Sequence, residues 1–366
     1  MRPWLLVLLL AAACAGSRSV PHDETPERAD TGRWDAGMRI VRTTDPSRTF
    51  GGAARPMQLT VWYPAMRTGA APLTYGDYLC DLPNEGSAVQ KADACSAGAK
   101  EFSDYATQLG VTPAAVASLL ARPFLARRDA PPVNRRFPLV VLAVGRDESP
   151  VLHVPLAERL ASDGFVVVSV PTVGVETRSM GFDAPSVDAN ARDVAFALDT
   201  AARWDDVDAR RVTAIGYSFG AAAALLTAMH DSRVAAVISI DGVIGFSDRL
   251  ALVRAAPRYD RTRRGFRLLQ LNVAGEPRND LSLIAELAAR PKRVVSIAGA
   301  HHLDFTIFGA AAASVPGFHH QMRGTTEESQ ARAYRAMSDI VLQSLRGAAI
   351  HPAPGDVLKV IPIPEY

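Results

Sequence analysis

Ser218, set between two glycines, is the residue where this sequence can do covalent chemistry. Gly216-Tyr217-Ser218-Phe219-Gly220 fits the pattern G-x-S-x-G. An apolar run at 211–215 precedes it and reads as a strand. An Ala- and Leu-rich stretch at 220–230 follows and reads as a helix. A sharp turn from strand to helix lifts a serine hydroxyl clear of the sheet. It also sets the hydroxyl at a helix N-terminus, where developing negative charge is stabilised. The flanking glycines remove side chains that would meet the neighbouring strand and helix. Ser218 is therefore the candidate nucleophile.

A serine needs a base to take its proton, and the base needs an acid to hold its tautomer. With this kind of turn the chain order is serine, acid, histidine. Gly299-Ala300-His301-His302-Leu303-Asp304-Phe305 lies just past the apolar run 294–297, and His302 is the expected base, with His301 its competitor. Adjacent histidines are also found as surface pairs or weak metal sites. No carboxylate cluster at ligand spacing accompanies this pair, although Asp304 is near, so no metal is expected. His319 and His320 fall in a Pro- and Gly-containing loop and read as solvated, while His153 and His230 read as structural. Asp241 directly follows the run 234–240, in Ile240-Asp241-Gly242, and is the favoured acid. Asp280, beyond the run 268–273, is the alternative. An oxyanion needs two backbone donors. The expected ones are the amide of Phe219, just after the nucleophile, and that of Arg146, just past the run 137–143.

These residues can meet only if the strands carry them to one edge of a sheet. Continuous apolar runs at 137–143, 165–170, 211–215, 234–240, 268–273 and 294–297 alternate with helical stretches at 154–163, 186–204, 220–230, 281–289 and 326–345. Strands apolar throughout, with helices between them, make a mostly parallel sheet covered on both faces, an α/β fold. The run 58–64 alternates and is stopped by Pro64. Residues 66–136 read as an insert with one helical stretch, 113–125. The run 294–297 reads as the last strand.

The 366 residues are 48% hydrophobic and 21% charged, enough for one large domain. A net charge of +2 gives no excess for nucleic acid as a main partner. The densest basic cluster, at 127–136, is Pro-rich and reads as solvated. Arg2, an apolar run at 4–13 and small residues in AAACAGS form the pattern of a secretory signal over 1–19. Cys14 follows Ala11-Ala12-Ala13, which leaves two alternatives open: lipidation at Cys14 with a membrane tether, or plain cleavage. Either way export is expected. Residues 20–37 read as a flexible linker, 38–350 as a single domain and 351–366 as a C-terminal tail. Cys80 and Cys95, an even pair in an exported chain, read as a disulfide. Closing so short a loop adds about 3 kcal/mol.

Several segments together resemble a known family: RPMQLTVWYPA around 58–64, the run and turn at 137–145, GYSFG, ISIDG and AHHLDF. They are similar to the platelet-activating-factor acetylhydrolase-like branch of the α/β-hydrolases, often grouped with dienelactone-hydrolase-like proteins. The resemblance covers roughly 38–345. It implies an α/β-hydrolase fold and cofactor-free hydrolysis of carboxylic esters, of short-acyl or phospholipid type, through an acyl-serine. It carries the acid onto Asp241, the base onto His302 and the oxyanion donors onto the Phe219 and Arg146 amides. Related polyester-cleaving enzymes place the acid one strand later, at the position of Asp280. The usual His-Gly reads Val144-Gly145 here, and the next position, usually apolar, is Arg146. Those departures support a rival expectation, a weak or inactive binding or envelope protein on the same scaffold. The insert 66–136 and the loop 305–325 are expected to wall the acyl pocket.

Overall fold

A computed structural model describes residues 32–87, 91–322, 324–350 and 357–363. The signal segment, Cys14 and the linker up to residue 31 lie outside the described residues.

The strands are β1 (Asp35–Phe50), β2 (Ala53–Ala65), β3 (Ala126–Arg128), β4 (Phe137–Ala143), β5 (Val166–Val170), β6 (Val207–Tyr217), β7 (Val234–Ile240), β8 (Arg267–Val273), β9 (Lys292–Ile297) and β10 (Leu358–Ile361). They form one sheet in the order β10-β9-β8-β7-β6-β4-β5-β2-β1-β3. β4 to β9 run parallel, while β2 and β10 pair antiparallel to β5 and β9. The apolar central strands alternate between two cores: Leu139 and Val141 of β4 face one, Val140 and Leu142 the other. The insert supplies α1 (Tyr75–Leu79), α2 (Ala94–Gln108) and α3 (Pro113–Leu120). These share one core with α4 (Val154–Ser162), α9 (Ile307–Ala312) and α10 (Glu327–Leu345). α5 (Ala184–Ala201), α6 (Gly220–His230), α7 (Leu250–Arg254) and α8 (Ser282–Glu286) cover the opposite face. Among the described residues no helix is long and apolar enough to cross a membrane.

Three expectations need correction. β1 starts at Asp35, inside the segment read as linker, and Trp34 before it packs edge-on against Phe137 at 5.8 Å. β1 is polar along much of its length, so no apolar pattern marks it. Its signal was Gly51-Gly52, whose positive φ values of 59° and 83° suit the two-residue turn into β2. β10 falls in the segment read as a tail, so 294–297 is not the last strand. α2 was not anticipated either. It buries Ala94, Gly98, Phe102 and Ala106, four residues apart but mostly small.

The insert is tied down by polar groups as well as by its core. Glu158 of α4 is buried and accepts from Tyr78 Oη (2.6 Å) and the amides of Leu125 (2.7 Å) and Ala126 (2.8 Å). A disulfide joins Cys80, at the end of α1, to Cys95 of α2, a bond that persists in oxidising compartments. Buried Glu85 accepts a hydrogen bond from Ser149 Oγ at 2.6 Å, just past β4. Burial pushes its pKa from 4.5 up to about 8. Between those values the folded protein keeps a proton that the unfolded chain has lost. Glu85 therefore costs stability increasingly as pH rises through that window. Glu85→Gln keeps an acceptor for Ser149 and carries no charge. Thermal melts should show little difference at pH 5 and a gain in Tm for the variant that grows toward pH 8. A difference independent of pH would contradict the burial of an ionisable group there.

Candidate active site

Ser218 stands at the turn from β6 into α6 with φ at +52°, a left-handed conformation that costs a residue with a Cβ about 1–3 kcal/mol. Its neighbours must be glycines. A Cβ at Gly216 would stand 2.4 Å from the Cα of Ala221, and one at Gly220 only 2.3 Å from the carbonyl oxygen of Ala143. The Ser218 amide donates to Ile240 O (3.0 Å), and its carbonyl accepts from the Val243 amide (3.0 Å). The backbone is thereby pinned to the next strand while the side chain stays partly exposed. Among the described residues the hydroxyl makes no hydrogen bond.

The next strand delivers the acid. Asp241 directly follows β7, is 1% exposed and also has a positive φ, 43°. Its Oδ1 accepts the Val273 amide at 3.0 Å, and its Oδ2 lies 2.5 Å from Nδ1 of His302. A carboxylate oxygen accepts, so the Asp241 contact selects the imidazole tautomer with its proton on Nδ1, the one whose Nε2 has the lone pair. His302 opens a short 3-10 turn after β9. Tyr217, beside the serine, stacks on the imidazole at 4.7 Å and donates from Oη to the His302 carbonyl at 3.0 Å. Ser218 and His302 make no hydrogen bond to one another.

The competing residues are engaged elsewhere. Asp280 Oδ1 accepts the Ser282 amide at the start of α8 (2.8 Å). His301 Nδ1 accepts the Leu303 amide (3.3 Å), and burial holds its pKa below the ordinary value. His320 is not solvated, as its loop suggested, but fully buried, with Nε2 2.6 Å from Oδ1 of an equally buried Asp304. The Met322 amide donates to His320 Nδ1 (3.2 Å), so Nε2 holds the proton in that pair. Asp304 Oδ2 also accepts the His301 amide at 2.6 Å, which ties the histidine loop to the interior. This second Asp-His pair has one mark in the sequence, Asp304 in H-x-D-F.

On the opposite side, Arg146 follows β4 and Phe219 opens α6. Neither amide donates to an acceptor among the described residues, so both stay available to a ligand. The Arg146 side chain lies over the Phe182 ring at 4.3 Å, and Arg249 lies over the same ring at 4.5 Å.

Among solved structures, the chain superposes on a ferulic acid esterase from Streptomyces cinnamoneus with a TM-score of 0.67. Identity is 20%, over 90% of this chain and 97% of that one. The chain has the α/β-hydrolase fold. A looser superposition, TM-score 0.41 at 15% identity, relates 84% of it to 98% of a dienelactone hydrolase-like promiscuous phosphotriesterase from metagenomic libraries. No protein-family model and no curated protein matches the sequence.

In open α/β sheets ligands bind beyond the carboxyl ends of the strands, and this hydrolase fold gathers cations and rings there. Phe182, 54% exposed, is centred 6.2 Å from Phe219. Arg278 lies over Phe246 at 4.4 Å, and Phe246 is 6.2 Å from His302. Arg278 with Phe246, and Arg146 and Arg249 with Phe182, thus place guanidinium and aromatic groups in the loops that follow β8, β7, β4 and β5. Each arginine also pairs with a nearby carboxylate, Glu276, Asp248 or Asp147. Such exposed pairs contribute at most about 1 kcal/mol, so a ligand can displace them readily.

Proposed function

We propose that the protein hydrolyses carboxylic esters through an acyl-serine intermediate on Ser218. The observation that carries this reading is the Asp241–His302 contact of 2.5 Å, with Asp241 just past β7, the strand beside the one that leads into a serine held in a left-handed turn. His302 Nε2 takes the Ser218 proton as Oγ attacks the ester carbonyl. The Phe219 and Arg146 amides receive the oxyanion. His302 then protonates the departing alcohol, and water repeats the sequence on the acyl-serine. Because the hydroxyl and Nε2 have no other partners among the described residues, closing the Ser218–His302 contact breaks no bond seen there.

The substrate in this reading is a small-molecule or lipid ester. The guanidinium and aromatic groups in the loops after β4, β5, β7 and β8 favour one that carries a planar or anionic group. The structural neighbour described as a ferulic acid esterase is in keeping with a planar acyl group. The Cys80–Cys95 disulfide supports an exported protein.

The open Ser218–His302 contact favours one rival, an inactive scaffold, and covalent labelling separates the two. A fluorophosphonate probe is expected to modify Ser218, located by peptide mass, and to abolish cleavage of p-nitrophenyl acetate. No labelling of folded protein would favour the scaffold.

A further inference from the structure

We propose that Glu148 is a positioning residue for the oxyanion side of this site: its carboxylate fixes the turn Gly145–Glu148 and with it the direction of the Arg146 amide. The inference rests on the esterase reading above. The Glu148 amide donates back to Gly145 O (3.2 Å), closing a four-residue turn whose third residue, Asp147, has φ at +57°. The Glu148 side chain then folds over its own turn, and Oε2 accepts the Gly145 amide at 2.9 Å. The amide it takes is the one next to the free Arg146 amide.

The rest of the turn is held from outside. Met180 N donates to Asp147 Oδ1 (2.6 Å), Thr172 N to Glu148 O (3.0 Å) and Thr172 Oγ1 to Val144 O (3.0 Å). Thr172 Oγ1 and the Glu148 carboxylate hold the Val144–Gly145 peptide at its two ends, and the Glu148 amide on Gly145 O holds the next peptide, which carries the Arg146 N–H, so Glu148 grips both planes. Gly145 is buried, so its amide without that acceptor costs about 1–3 kcal/mol and would seek another partner by rotating. The grip also needs a glycine. A Cβ on Gly145 would sit 2.5 Å from Glu148 Oε2.

His153 closes the far side of the carboxylate. It is fully buried, neither ring nitrogen is hydrogen-bonded, and Nε2 lies 3.6 Å from the same Oε2. Its ring packs on Tyr217 at 4.9 Å, and Tyr217 stacks on His302. The carboxylate that shapes the oxyanion loop and the ring that seats the base are thereby braced against one another.

The test compares wild type with Glu148→Ala, Glu148→Gln and Gly145→Ala. The readouts are kcat and KM on p-nitrophenyl acetate, the rate of fluorophosphonate labelling and Tm. Glu148→Ala and Gly145→Ala should each lower kcat and the labelling rate by about 10- to 100-fold, less than loss of a donor itself, with KM changed under about threefold. Glu148→Gln should recover most of the loss, because its amide oxygen can accept the same N–H. Wild-type kcat in Glu148→Ala, a loss confined to KM, or a glutamine variant as poor as the alanine one would each overturn the proposal. Wild type that does not label overturns the esterase reading, and this inference falls with it. A labelled wild type with unaffected variants removes only the role of Glu148.

Discussion

Ser218→Ala is expected to lower kcat toward a short p-nitrophenyl ester by about 10⁴- to 10⁶-fold. The variant should fold as wild type does, because the hydroxyl is partly exposed and holds no hydrogen bond that alanine would lose. The turn itself is built by the backbone bonds to Ile240 and Val243 and by the space at Gly216 and Gly220. KM should change little, since the hydroxyl acts on the reacting carbonyl rather than on the rest of the substrate. Steady-state kinetics on homogeneous protein decide the matter, and a variant at the wild-type rate refutes the nucleophile assignment.

Asp241→Asn should be nearly as damaging, lowering kcat by about 10³- to 10⁴-fold with the fold intact. The carboxylate has two donors to serve, the Val273 amide at Oδ1 and His302 Nδ1 at Oδ2. An asparagine has one oxygen. The backbone donor cannot change, so the oxygen faces Val273 and the NH₂ faces the imidazole. His302 must then give up the proton on Nδ1 and carry it on Nε2, where it cannot accept one from Ser218. Asp280→Asn is the control, and it should leave kcat within about twofold, since that side chain accepts from Ser282 instead. A severe loss in Asp280→Asn with activity kept in Asp241→Asn would move the acid to the other strand.

The parallel core of the fold was readable because both faces of it are buried. Val234–Ile240 and Gly220–His230 have in the structure the boundaries that their apolar patterns suggested. Elements with one wet face or small residues were not: β1 carries Arg, Thr and Asp along an exposed stretch, α2 buries alanine and glycine, and β10 is four residues at an edge. In the site, position after a strand favoured Asp241 ahead of Asp280 and the H-x-D-F resemblance pointed to His302 beside its competitor His301; the structure brings Asp241 to 2.5 Å from His302 Nδ1. Side-chain contacts between distant segments left no such mark. The burial of His320 on Asp304 and the stacking of two arginines on Phe182 both depend on where loops cross, which no local pattern encodes.

β10 covers the edge of β9, and the Ala298 amide donates to Val357 O just before the loop that holds His302. A chain that stops short of Val357 keeps Ser218, Asp241 and His302. It leaves the Lys292–Ile297 strand with bare amides and carbonyls, a template for any passing extended segment. Such a truncation endangers solubility before chemistry: the protein would be lost to aggregation while its reactive groups were all still present.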